Sequence, residues 1–400
     1  MLFKKYIITL SALLSVFFVI LCGNIVFLYR SDELKDLSTI VAEQISENKI
    51  ANLAKLSLLE YKIETYSQIK PEIIIIGSST AMRFKQSMFT VPSYNLGGAG
   101  WGPYESAYVL EKVLNIHKPK VVLFSQDLFT LCDTANEIGQ DVHVPRRVTG
   151  RHAINKGYEN SFFIAFDLYL KGRITIAEYA KTLFSNFTIS DFQSHFLGVF
   201  GKLSFKGLAK DGSLVNVSSK IDASKLPIKA ANDGHFEICE NSKFRFNMMK
   251  FLISRVQNMG INIIGLLPPL APSLYNEVFD SSSKISTKNI LLREQYKEFR
   301  FRSSKVGFDE FFDFTNPKSV RTFNCEFIDN IHFGDVVAAK ILDKMNTEKS
   351  NLILSITNAE ILVSMIKETW GFNSIIRDDY LAPFYSLLMD QRNGSAKCLS

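Results

Sequence analysis

Pro71-Glu72 is followed by four consecutive isoleucines, Ile73 to Ile76, which run directly into Gly77-Ser78-Ser79. A short β-branched run without polar alternation, bounded by a proline and a glycine-serine cluster, reads as a strand buried on both faces. Such strands belong to the interior of parallel sheets whose two faces are covered by helices, so this segment confines the chain to an α/β fold. Thr80-Ala81-Met82-Arg83-Phe84 opens a helix in this reading, so Ser79 sits where a strand ends and a helix N-terminus begins. Unpaired backbone N–H groups at that position favour developing negative charge.

The same rhythm recurs downstream. A helix is expected over about 103–117 and a strand around 120–125. A second helix over about 242–259 turns at Gly260 into the buried strand Ile261 to Leu267, which Pro268-Pro269 ends. Residues 308–313 supply a last strand, and a helix over about 333–345 closes the domain. Alternation at this spacing calls for a parallel sheet with right-handed crossovers. Between about 128 and 240 the pattern weakens. A basic stretch (Arg146, Arg147, Arg151, His152 and Lys156) precedes an aromatic-rich helical segment from Ser161 to Phe187. An insertion of this length is a subdomain rather than a loop. It is either a cap that shapes a cleft or an added helical pair with a solvated basic loop.

A serine hydroxyl is a weak nucleophile until a base takes its proton, and histidine titrates nearest neutral pH. Of the six histidines, His332 has the most persuasive carboxylate nearby, Asp329 in Asp329-Asn330-Ile331-His332. That spacing lets the carboxylate reach the imidazole, fix its tautomer and stabilise the cation formed on proton transfer. His117 is the alternative base, although Lys118 and Pro119 beside it suggest an exposed helix end. Arg83 reads as part of a solvated helix face, with substrate contact the other option.

Ser79, a glycine-rich block Asn95-Leu96-Gly97-Gly98-Ala99-Gly100 and the Asp-x-x-His pair occur in the order found in the SGNH/GDSL hydrolase superfamily, which this chain resembles over roughly residues 70 to 130 and 245 to 345. The resemblance implies a three-layer α/β/α, flavodoxin-like domain carrying a triad of Ser79, Asp329 and His332. Its oxyanion hole would be built from the N–H groups of Ser79 and Gly100 with the side chain of Gln126. Two positions depart from the family pattern: Ser78 replaces the aspartate before the nucleophile, and Gln126 replaces an asparagine. Glutamine keeps the amide donor but adds a methylene, which alters the hole's geometry. The Gly-Ser-Ser variant is similar to bacterial members that modify cell-envelope polymers. It implies an esterase or O-acyltransferase acting on acylated glycans, working beside a multispanning acyl-transfer protein. The alternative is a catalytically lapsed binding or assembly module.

The N-terminus sets the expected location. After Lys4 and Lys5, the stretch from Tyr6 to Tyr29 is almost entirely apolar, long enough for a helix to cross a hydrocarbon core of about 30 Å. Arg30 is soon followed by Asp32, Glu33 and Asp36, so the positive-inside rule leaves residues 1–30 as a short cytoplasmic tail and signal anchor of the inner membrane. The rest of the chain then lies outside, in the periplasm. A cleaved signal peptide is the rival reading, but no small-residue cleavage site ends the span.

Residues 31–70 read as a helical stalk, 71–345 as the α/β domain, and 346–400 as a helical extension. A net charge of +6 is too modest to imply nucleic acid. No Cys-x-x-Cys, metal or nucleotide motif occurs, so neither a metal nor a cofactor is expected. Nothing in the spacing of Cys132, Cys239, Cys325 and Cys398 dictates pairing.

Overall fold

The computed structural model describes residues 2–30, 36–47, 51–52, 58–100, 102–133, 204–218, 240–280, 287–327, 330–348 and 350–367. The chain opens with helix α1 (Leu2–Arg30). Its apolar side chains, Leu13, Phe17 and Phe18 among them, are exposed all round, and the span Phe3–Gly23 is long and apolar enough to cross a membrane. An all-apolar surface of that length is unfavourable in water and suited to hydrocarbon.

Helices α2 (Leu37–Glu47) and α3 (Leu58–Ile69) follow. Of the helical stalk expected over residues 31–70, these two helices are described, but Ala51–Asn52 between them is a strand rather than helix, and α3 goes beyond a spacer. It buries Tyr61, Lys62, Thr65 and Tyr66, and Tyr66 belongs to the main core. Val41 of α2 packs with Tyr61 beneath Met82.

Five strands form one sheet: β1 (Ile73–Gly77), β2 (Ser93–Asn95), β3 (Val121–Ser125), β4 (Asn262–Leu267) and β5 (Glu310–Asp313). Their spatial order is β2-β1-β3-β4-β5, and every pair is parallel. The α/β expectation and the parallel sheet are therefore present. Because successive side chains alternate across a strand, the isoleucine run divides between two cores. Ile74 and Ile76 join Val122, Phe124 and Ile263 under helices α4 (Pro103–Ile116), α5 (Lys243–Asn258) and α6 (Thr287–Ser303). Ile73 and Ile75 join Leu123, Ile264 and Leu266 under α7 (Asp335–Thr347) and α8 (Ala359–Lys367). Both faces of β1 are thus covered, which is why no polar residue interrupts it.

Strand order reverses direction between β1 and β3, and in open parallel sheets the crevice at such a switch point, beyond the carboxyl ends of the strands, is where sites form. Gly77 ends β1 there with φ +148°, and a Cβ on it would lie 2.2 Å from the Ser125 carbonyl oxygen of β3. Gly77→Ala is therefore expected to lower stability by at least about 2 kcal/mol, through backbone strain and overlap together, measured as a fall in the urea midpoint.

Within the insertion the described residues include an antiparallel hairpin, Ser204–Leu208 with Leu214–Ser218, whose first strand also pairs with Ala51–Asn52. Cys132–Asp133 and Glu240–Asn241 pair where the chain leaves and rejoins the domain. The basic stretch, the aromatic segment 161–187, the histidines at 143, 152, 195 and 235, Cys239, and the extension beyond 367 lie outside the described residues.

Candidate functional site

Beyond Gly77 the chain does not enter an α-helix but a single 3-10 turn, Ser79–Arg83. Ser78 caps it, its hydroxyl accepting from the Thr80 N–H at 3.3 Å, while the Ser78 carbonyl accepts from Ala81 N–H at 3.1 Å. Ser78 thus has a local structural task. Ser79 occupies the first position of the turn, half-buried, with its hydroxyl directed at the next element.

That element is the loop before α7. Phe327 and Phe333 form an antiparallel bridge and are both fully buried, and Gly334 N–H donates to the Glu326 carbonyl at 2.8 Å, so the backbone just after His332 is pinned to the segment that ends at Phe327. The loop after β4 supports it, Ala271 N–H donating to the Asn330 carbonyl at 3.0 Å. The double-proline segment accordingly lies beside the site. Phe333 meets Phe84, at the end of the serine turn, edge to face with centroids 6.2 Å apart.

A buried ionic cluster fastens the same two elements. The Asp335 carboxylate, in the first turn of α7, lies 2.6 Å from Lys85 Nζ and 4.0 Å from an Arg83 guanidinium nitrogen, and all three residues are buried. Arg83 is therefore not on a solvated helix face. The turn it ends is too short to present one, and the residue folds inward against Asp335.

The outcome is a contact between residues 253 positions apart: Ser79 Oγ lies 2.7 Å from His332 Nε2. With the imidazole proton on Nδ1, Nε2 accepts from the serine hydroxyl, the arrangement a general base requires. Asp329 lies outside the described residues. His117 ends α4 at the opposite edge of the sheet, where β3 begins, and its carbonyl accepts from Tyr66 Oη at 2.7 Å. It is excluded as the base for Ser79 by the length of the strands.

The glycine block is tied closely to the serine turn. Asn95 donates from Nδ2 to the carbonyls of Ala81 and Phe84, each at 2.8 Å, and accepts from Gly97 N–H at 2.8 Å. Gly98 N–H is shared between the carbonyls of Gly77 and Ser78, both at 2.9 Å. Gly100 lies against the end of β1 and the start of α4; a Cβ there would sit 2.8 Å from Ser106 Oγ and 3.4 Å from Ile76 Cγ1. Among the described residues, neither the Ser79 N–H nor the Gly100 N–H donates to a protein acceptor.

Gln126 leaves the end of β3, opposite Ser78 by register, with its own N–H donating to the Leu266 carbonyl at 2.8 Å. It is fully buried, yet neither its Nε2 nor its Oε1 has a hydrogen-bond partner among the described residues. Burying an unpaired amide costs about 1–3 kcal/mol, so such a group calls for a functional account.

Of the candidates singled out from the sequence, the structure brings Ser79 and His332 into contact; sequence reasoning assigned no role to the residues that hold the turn and loops around them: Asn95, Lys85, Asp335 and Lys62. Asp335 had a signal, an acid three residues after His332 at a helix start, and Asn95 opens the glycine block. Lys62, one lysine on a helix rich in charge, had none.

Comparison with protein-family models, curated proteins and solved structures yields no match to this chain.

Proposed function

We propose that the protein is a serine esterase or O-acyltransferase of the SGNH type, acting through Ser79 and His332. The single observation that carries this reading is the 2.7 Å contact between Ser79 Oγ and His332 Nε2 at the carboxyl edge of a parallel sheet. In the proposed reaction Ser79 Oγ attacks an ester carbonyl as its proton passes to His332 Nε2. The tetrahedral oxyanion is held by the N–H groups of Ser79 and Gly100 and by the Gln126 amide. The intermediate collapses to an acyl-serine as the alcohol leaves with the proton from His332. Water then completes hydrolysis, or a hydroxyl acceptor completes transfer, by the same steps in reverse. Asp329, three residues before His332, is assigned the role of orienting the imidazole.

The resemblance in motif order extends the proposal to a flavodoxin-like three-layer domain and to ester-linked acyl groups on cell-envelope glycans as the substrate class, with a multispanning acyl-transfer protein as partner. The N-terminal helix agrees with an inner-membrane anchor, and the charge asymmetry around it supports a periplasmic domain.

The reading is tested by reacting the full-length protein in detergent with a fluorophosphonate probe. Labelling of the wild type that is lost in Ser79→Ala is expected; a folded wild type that stays unlabelled would sink the proposal. Gln126→Leu separates chemistry from folding. It removes an unpaired buried amide at similar volume, so the melting temperature should hold or rise. The labelling rate should fall about a hundredfold if the amide serves the oxyanion.

A further inference from the structure

We infer that Lys62 is a positioning residue whose buried ammonium polarises the Ser79 N–H through a chain of backbone hydrogen bonds. The catalytic part of this inference rests on Ser79 being the nucleophile; the electrostatic coupling itself does not.

Lys62 lies on α3 with no exposed surface, and its Nζ donates to the Gly97 carbonyl at 2.5 Å and the Asn95 carbonyl at 2.8 Å. The Gly97 carbonyl shares its peptide unit with the Gly98 N–H, which donates to the Ser78 carbonyl at 2.9 Å. The Ser78 carbonyl in turn shares its peptide unit with the Ser79 N–H, the first donor of the proposed oxyanion hole. Two peptide units therefore separate the ammonium from that N–H. Each link strengthens the next by about 10–30% in a low-dielectric interior.

The path depends on glycine. At Gly97 a Cβ would stand 2.8–2.9 Å from Asn95 Oδ1, Ala81 Cβ and Met82 N, and Gly98 has φ +79°. Any larger residue would break the chain between Lys62 and Ser79.

A merely structural role fits poorly, because a neutral donor would satisfy two carbonyls without the cost of burying a cation. That cost is visible in the titration of the group. Burial pulls the Lys62 pKa down to about 7, offset in part by the field of Asp211. Asp211 belongs to the turn of the insertion hairpin, where its backbone carbonyl accepts from Asn95 N–H at 2.7 Å and its carboxylate from Gln86 N–H at 2.7 Å. Among the described residues, the other titratable groups around this pocket are Tyr61 on α3 and Tyr94 on β2, both held protonated by burial.

Activity and stability then respond to pH in opposite directions. The folded-state pKa of Lys62, about 7, lies below its ordinary 10.5. Between those values the unfolded chain binds more protons than the folded one, so stability rises with pH. Polarisation of the Ser79 N–H is lost over the same rise.

The test uses full-length protein in detergent with selectively 15N-labelled glycine and serine, in a His332→Gln background so that the imidazole does not contribute. The Gly98 and Ser79 amide protons should move with one shared midpoint near 7. Lys62→Met should abolish that movement, and Asp211→Asn should shift the midpoint to lower pH. A Ser79 amide that neither follows the Gly98 midpoint nor changes in Lys62→Met overturns the inference. Should Lys62→Met fail to fold, a midpoint unmoved by Asp211→Asn overturns it equally.

In the His332-intact protein the fluorophosphonate rate should decline above about pH 7 while the melting temperature climbs. Lys62→Met should react about threefold to tenfold more slowly at low pH and lack the alkaline decline. Amide coupling without any wild-type labelling would remove the catalytic reading and leave the coupling standing.

Discussion

Replacing His332 by glutamine should lower the rate of fluorophosphonate labelling by about 10³-fold or more, with the melting temperature nearly unchanged. The imidazole is half-buried, and what it supplies to Ser79 is a proton acceptor at 2.7 Å. Glutamine can fill the space and donate to the serine oxygen, but it cannot take the proton as the nucleophile forms its new bond. Removing one member of such a pair leaves only the catalysis of the oxyanion donors and of binding. The measurement is the second-order labelling rate of full-length wild type and His332→Gln, with Ser79→Ala as the unlabelled control. If His332→Gln labels as fast as wild type, the 2.7 Å contact is a structural hydrogen bond and the base lies elsewhere.

Some of this architecture was open to reading in residue order because it depends on local chemistry. Four isoleucines without a polar interruption require two covered faces, and Ile74 with Ile76 and Ile73 with Ile75 do separate into two cores. Pro103 at a helix start and Gly260 at a turn mark boundaries by backbone geometry alone. The pairing of Ser79 with His332 was readable as chemistry, since a serine after a buried strand needs a base and His332 was the best supported of six. The supporting shell was not readable. Arg83 after a strand-turn junction looks like any helix-surface cation, and what buries it is an aspartate 252 residues away that the fold alone brings near. The 3-10 turn replaced an expected helix because Asn95 takes the carbonyls of Ala81 and Phe84 that an α-helix would use internally. Lys62 is the extreme case. Its role depends on two carbonyls of a loop more than thirty residues on, and carbonyl orientation leaves no trace in residue identity.

Asp335→Ala should destabilise the protein by about 3–5 kcal/mol, the largest stability loss expected of any single change near the site. Asp335 is the carboxylate between two buried cations, 2.6 Å from Lys85 Nζ and 4.0 Å from Arg83. It also stands in the first turn of α7, where a negative charge is favoured by the helix dipole. Removing it leaves two positive side chains facing one another in the interior without this counter-ion. Lys85→Met, by contrast, leaves Arg83 with Asp335 and replaces a buried ammonium by an apolar chain of similar length, so its cost should be much the smaller. Urea unfolding of the two variants measures the asymmetry, and equal losses would mean that the cluster contributes packing rather than charge balance. The functional consequence follows from position. The cluster joins the turn that carries Ser79 to the helix that begins three residues after His332. A variant that folds but lets these two elements drift by 1 Å should lose about a hundredfold in labelling rate. Because Asp335 does not contact the reacting atoms, that loss should appear with the Ser79 hydroxyl and the His332 imidazole both chemically intact, which distinguishes it from the loss in His332→Gln.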